Sequence, residues 1–102
     1  MTESVLEPAR HRIYELPPAL DLNAAGPLSE ALQKHIGDDL VLDGSKVQRL
    51  GASCLQVLLA AGRTWSVEGS ALSLDNPTPR LVEDLRLLGF DALNLFDGAT
   101  PQ

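Results

Sequence analysis

Leu40-Val41-Leu42-Asp43-Gly44-Ser45-Lys46-Val47-Gln48-Arg49-Leu50-Gly51-Ala52-Ser53-Cys54-Leu55 is the stretch on which the fold turns. Leu40-Val41-Leu42 is a short apolar run bounded by turn formers, and its length favours a buried strand over a helix. Asp43-Gly44-Ser45-Lys46 has the composition of a turn, because Asp, Gly and Ser each supply the chain reversal by their own means. Val47 and Leu50 are expected to face inward around it. From Gly51 the sequence changes period and runs through Trp65, long enough for a helix, with Gly69-Ser70 in stop position. A strand, a turn and a long helix in this order begin an alternating α/β pattern.

The flanks continue that pattern. His11-Arg12-Ile13-Tyr14-Glu15-Leu16 reads as a short edge strand, ended by Pro17-Pro18. Asn23-Ala24-Ala25-Gly26-Pro27 opens a helix with Leu28, Leu32 and Ile36 as its apolar stripe, and Gly37 stops it. Ala71-Leu72-Ser73-Leu74 alternates as a strand does. Asn76-Pro77-Thr78-Pro79 sets up a last helix, with Thr78 as N-cap and Pro79 in the first helical position. Leu81, Leu85 and Leu88 form its stripe and Gly89 stops it, and Asp91 to Phe96 is one more short turn or strand end. The fold class is therefore α/β, a small mixed, mostly parallel sheet with helices packed largely on one face. Residues 1–10 read as a flexible N-terminal arm, 11–98 as the domain and 99–102 as a frayed end.

Composition restricts the partners. The 102 residues suit one compact domain. Hydrophobic residues make up 44% and aromatic ones 4%, so the core must be aliphatic. The formal net charge of −6, with no run of basic residues, argues against nucleic acid and against anionic membrane surfaces, both of which require clustered cations. A single cysteine, Cys54, rules out an internal disulfide and fits a reducing compartment. The start of the chain lacks the basic and apolar regions of a signal peptide, and no segment reaches the roughly 18 apolar residues of a spanning helix, so the expected location is the cytoplasm without membrane insertion.

The search for catalytic chemistry yields no enzyme pattern. His11 and His35 stand in no ligand pattern with Cys54, so neither a metal nor another cofactor is expected. Neither GxxxxGK[ST] nor GxGxxG occurs. Asp38-Asp39 and Glu83-Asp84 are adjacent pairs; adjacent residues on a helix do not face each other and in a turn are usually solvated, so a paired acid/base site is unsupported. Ser53 and Cys54 stand apart because a helix start offers free N–H groups and a positive dipole end. That place either activates the Cys54 thiol or leaves it a small buried residue packing the helix on the sheet. Ser53 is either a cap of the first turn or a phosphoacceptor whose added charge the helix start accommodates. The helix also carries two apolar lines. Leu55, Leu58, Leu59 and Gly62 have core spacing, while Cys54, Val57, Ala61 and Trp65 form a second line that meets either a neighbouring helix or a partner.

The quoted stretch resembles, without a gap, the signature of the STAS family, which includes bacterial anti-sigma factor antagonists and the cytoplasmic tails of sulfate transporters. The family pattern is an apolar strand, Asp-Leu-Ser-x-Val, three residues, then Asp-Ser-Ser-Gly-Leu opening a helix. Asp43, Ser45, Val47, Ser53 and Leu55 match it. Asn76-Pro77-Thr78-Pro79-Arg80 and Leu87-Leu88-Gly89-Phe90 are similar to the family's loop and the end of its third helix, so the resemblance spans about Ile13 to Asp97. It implies a small mixed sheet with helices on one side. It also implies a second motif serine, here Ser53, that a kinase-like anti-sigma factor phosphorylates in antagonists. Gly51 stands for the motif's aspartate, Ala52 for its first serine and Cys54 for its glycine, a variant similar to STAS modules that accompany chemotaxis and other two-component systems.

The resulting expectation is a non-enzymatic interaction module of bacterial signal transduction, with no catalytic residue. Its partner would be a kinase-like anti-sigma factor or a chemotaxis or two-component protein. The binding residues would be Gly51, Ala52, Ser53, Cys54, Val57 and Ala61. The alternatives are an antagonist switched by phosphorylation of Ser53, and a module binding a small anion or nucleotide at the same helix start.

Overall fold

A computed structural model describes residues 11–96. The expected arm at 1–10 and the frayed end at 99–102 lie outside the described residues. Three strands, β1 (His11–Glu15), β3 (Asp39–Asp43) and β5 (Leu72–Asp75), form a parallel sheet in the order β1-β3-β5. A second, two-stranded parallel ladder joins β2 (Ala19–Leu20) to β4 (Arg49–Leu50). Three helices alternate with the strands: α1 (Ala25–Gln33), α2 (Ala52–Glu68) and α3 (Pro79–Leu87). Parallel strands need crossovers, and the helices supply them.

Register explains why the helices lie on one face. Tyr14, Leu42 and Leu74 stand side by side across the three strands, as Leu40 and Leu72 do on two of them. Leu40 and Leu42 are buried, and Tyr14, Leu72 and Leu74 pack against the same core. The alternate row turns the other way: Ile13 is 70% exposed, beside half-buried Val41 and exposed Ser73. The period-2 alternation thus gives the sheet one covered and one open face.

Each helix has local reasons for its bounds. Asp21 accepts a bond from the Ala24 N–H at 3.2 Å and caps the 3-10 turn Leu22–Ala24 that leads into α1. Leu28 and Leu32 of α1 are buried. The helix stops at Gln33, so Ile36, expected in its stripe, falls in the following turn and is partly exposed. Gly37 takes the left-handed backbone there, at φ 100°. Gly69 does the same after α2, at φ 77°. In α3 the Thr78 hydroxyl accepts from Leu81 N–H at 3.0 Å and Pro79 begins the helix. Leu81 and Leu85 are buried, but Leu88 follows the last helical residue and is 38% exposed rather than completing the stripe. Asp91 to Phe96 holds a 3-10 turn at Ala92–Asn94.

The core is aliphatic around one ring. Trp65 is buried, and its indole N–H donates to the Asp38 carbonyl at 2.7 Å, which fixes α2 against the turn before β3. Truncating one of its buried leucines, such as Leu85, costs about 2–5 kcal/mol in comparable cores.

Candidate functional site

Ser53 is the second residue of α2, and its position follows from the segment that delivers it. The Gly44 carbonyl accepts from both Val47 N–H and Thr78 N–H, each at 3.3 Å, which ties the turn after β3 to the start of α3. The Thr78 hydroxyl donates to the Val47 carbonyl at 2.7 Å. Asp43 Oδ1 accepts from Ser45 N–H at 3.0 Å, closing the turn that its sequence announces. Val47 and Leu50 point inward as expected.

The last step to the helix is held from two sides. On one side, Gly51 N–H donates to the Leu20 carbonyl at 2.9 Å, and β4 pairs with β2. Asp21 adds to this side: Arg49 pairs with its carboxylate at 3.4 Å, and the Cys54 thiol donates to its carbonyl at 3.2 Å. On the other side, Leu50 N–H donates to Asp84 Oδ2 of α3 at 2.9 Å, while Arg80 Nε donates to Asp84 Oδ1 at 3.1 Å. Those hydrogen bonds, led by that from Leu50, hold the Asp84 carboxyl below the usual aspartate value. The Asp84 side chain is only 13% exposed and both its oxygens are engaged, one by Leu50 and one by Arg80. The spacing of Arg80 and Asp84 signals their pairing, but nothing in the sequence signals the bond to Leu50.

Gly51 is the N-cap of α2, with extended backbone and no side chain to cap the first turn. Gly51 therefore offers no side-chain oxygen to the N–H groups at the start of the helix. Ala52 and Gln56 are exposed, and Ser53 and Val57 are half-buried. Ser53 and Val57 lie on the lip of a cleft of about 290 Å³ between α1 and α2. Ala61 and Trp65 contribute to its lining from α2, and Ser29 and Gln33 from α1. Among the described residues no charged side chain lines it. The α1 wall escaped sequence reasoning, because which residues of another helix face Ser53 depends on the packing of the two helices.

Cys54 does not belong to this surface. It is fully buried, and burial, with the nearby Asp21 charge second, pushes its thiol pKa up. Activation at the helix start would lower it. A partner cannot touch Cys54 without opening the helix start; of the other expected contact residues, Ser53, Val57 and the buried Ala61 line the cleft, while exposed Ala52 and half-buried Gly51 are not part of its lining. The second apolar line is divided in the same way: Cys54, Ala61 and Trp65 are buried, and only Val57 stays half-open.

Tyr14 and His35 place their rings 6.4 Å apart, tilted by 49°. Among the described residues no group of three or more His, Cys, Asp or Glu could hold a metal ion. Among them, too, no helix is long and apolar enough to cross a membrane. A family model described as "Mlab, STAS domain" matches residues 14–96, most of the chain. No curated protein and no solved structure matches it.

Proposed function

The chain belongs to the STAS domain family, and on that premise we propose that it is a cytoplasmic, non-enzymatic adaptor of bacterial signal transduction that binds a kinase or two-component protein through the start of α2. STAS domains as a family are signalling and antagonist-like modules whose business is protein–protein interaction. The observation that carries the reading is the surface around Ser53. It joins an uncapped helix start to an uncharged, largely apolar cleft, in a chain that is 22% charged overall. Depletion of charge at the centre of a patch is what distinguishes the core of a protein interface from ordinary surface.

The test is affinity for the cognate kinase or adaptor, measured by titration calorimetry. Ser53→Asp and Val57→Asp each place a charge in the contact. An uncompensated buried charge costs several kcal/mol, and each roughly 1.4 kcal/mol is tenfold in affinity. Both variants should therefore bind at least about a hundredfold more weakly, with unchanged circular dichroism, while Ser53→Ala binds and responds as the parent does. Affinity unmoved by either aspartate removes this surface from the mechanism.

A second reading has one specific support. Because Gly51 offers no side-chain cap, the N–H groups at the start of α2 are left to receive oxygens of a phosphoryl group on Ser53. In that reading the protein is an antagonist released from an anti-sigma kinase when Ser53 is phosphorylated. Incubation with the kinase and ATP should then add a phosphoryl mass that Ser53→Ala abolishes, and an unmodified Ser53 sinks it. Binding of a small anion or nucleotide at the same N–H groups is the remaining alternative, and a ligand-dependent rise in melting temperature would reveal it.

A further inference from the structure

We propose that Asp84 is a positioning residue for the start of α2: its carboxylate holds Leu50 and thereby couples α3 to the surface around Ser53. The inference rests on reading that surface as the contact site, and it adds the part of the fold that sets its geometry. Asp84 lies 34 residues from Leu50 in sequence, and its Oδ2 receives the Leu50 N–H at 2.9 Å. Leu50 directly precedes the N-cap Gly51 and lies three residues before Ser53. Its side chain is buried, so the N–H sits where losing its acceptor is costly.

The segment needs this anchor because its own structure is slight. β4 has two residues, and the next is a glycine with an open φ/ψ choice. Short pieces with few hydrogen bonds are where native proteins open locally without unfolding globally. Arg80 holds the second carboxylate oxygen at 3.1 Å and so turns the first toward Leu50. The Arg80 side chain is 64% exposed, so the pair itself contributes little to stability and serves orientation. A charged acceptor on a backbone N–H is about twice as strong as a neutral one, which suits the bond that ties this helix start to α3, opposite the Gly51 bond to the Leu20 carbonyl.

The test is residue-resolved amide exchange on the full chain, comparing the parent with Asp84→Ala and Asp84→Asn. In Asp84→Ala the amides of Leu50, Gly51 and Leu55 should exchange at least about tenfold faster relative to that of Leu40 in β3, which bonds the carbonyl of Ala71 just before β5. Asp84→Asn keeps an acceptor oxygen and should restore most of the protection. Equal acceleration at Leu50 and Leu40, or none at Leu50, overturns the proposal and leaves Asp84 a general stabiliser. If Asp84→Ala does not fold, Asp84→Asn decides alone: the Leu50 and Ser53 amide resonances should shift together while that of Leu40 stays, and an unmoved Leu50 overturns it. Neither readout involves a partner, so failure here is distinct from failure of the contact surface.

Discussion

Replacing Gly44 by alanine is expected to destabilise the domain by about 1–2 kcal/mol, and the geometry says why. A Cβ at this position would stand 2.9 Å from Leu81 Cδ2, 3.3 Å from the Pro77 Cα and 3.4 Å from Leu74 Cδ1. Carbon contacts are optimal at about 3.5–4.0 Å, so Leu81 must retreat by about half an ångström. Leu81 is 1% exposed, and Pro77 Cα belongs to the backbone, so neither neighbour moves freely. Overpacking of this kind costs about 1–3 kcal/mol. Alanine in turn restricts the unfolded chain, which offsets about 0.4–1 kcal/mol. The net loss should lower the melting temperature by about 4–16 °C, taking about 4–8 °C per kcal/mol for a domain of this size. The single tryptophan, Trp65, is buried and reports unfolding by fluorescence. Leu81→Val removes the δ-methyl in the way. In that background Gly44→Ala should cost less by at least about 1 kcal/mol, a coupling that a double-mutant cycle measures. Additivity within about 0.5 kcal/mol, or a rise in melting temperature from Gly44→Ala alone, would refute the packing argument.

Three other outcomes are expected. Cys54 should resist iodoacetamide at neutral pH in the folded protein and react once urea exposes it, because the thiol is buried and its pKa is raised; rapid native-state labelling would contradict this. Asp84 has a folded pKa below the ordinary value, so its stabilisation is present above the unfolded pKa of about 3.9 and is lost as pH falls through the folded one. The parent should therefore lose stability on acidification below about pH 4 more steeply than Asp84→Asn, and equal slopes in urea titrations would show the bond to Leu50 to be inconsequential. Thr78→Ala removes both the α3 cap on Leu81 N–H and the donor to Val47 at 2.7 Å; a loss of about 1–3 kcal/mol in urea unfolding is expected, and a loss under 0.5 would argue against the cap.

How much of this was readable beforehand depends on how local each cause is. Leu40-Val41-Leu42 announced a buried strand because an apolar run between turn formers has few other uses, and β3 is the central strand. The α3 cap was readable because Thr78 and Pro79 act on their own helix. Ile36 and Leu88 were misplaced because a stripe extrapolates periodicity past the end of the helix, and backbone turns end both helices first. The ladder of β2 with β4 went unseen because two residues are too few to show a period.

The candidate site divides along the same line. By itself the sequence determined the family signature, the helix start at Ala52 and the place of Ser53 on its first turn, since spacing along one element sets all of these. Cys54 and Ser53 are neighbours in sequence, and only packing decided that one is buried against the Asp21 carbonyl while the other opens onto a cleft. The α1 wall of that cleft and the carboxylate of Asp84 on Leu50 likewise belong to the tertiary structure. Hydrogen bonds and packing across the chain depend on how the helices dock, and the pattern within a single helix holds no record of what it docks against.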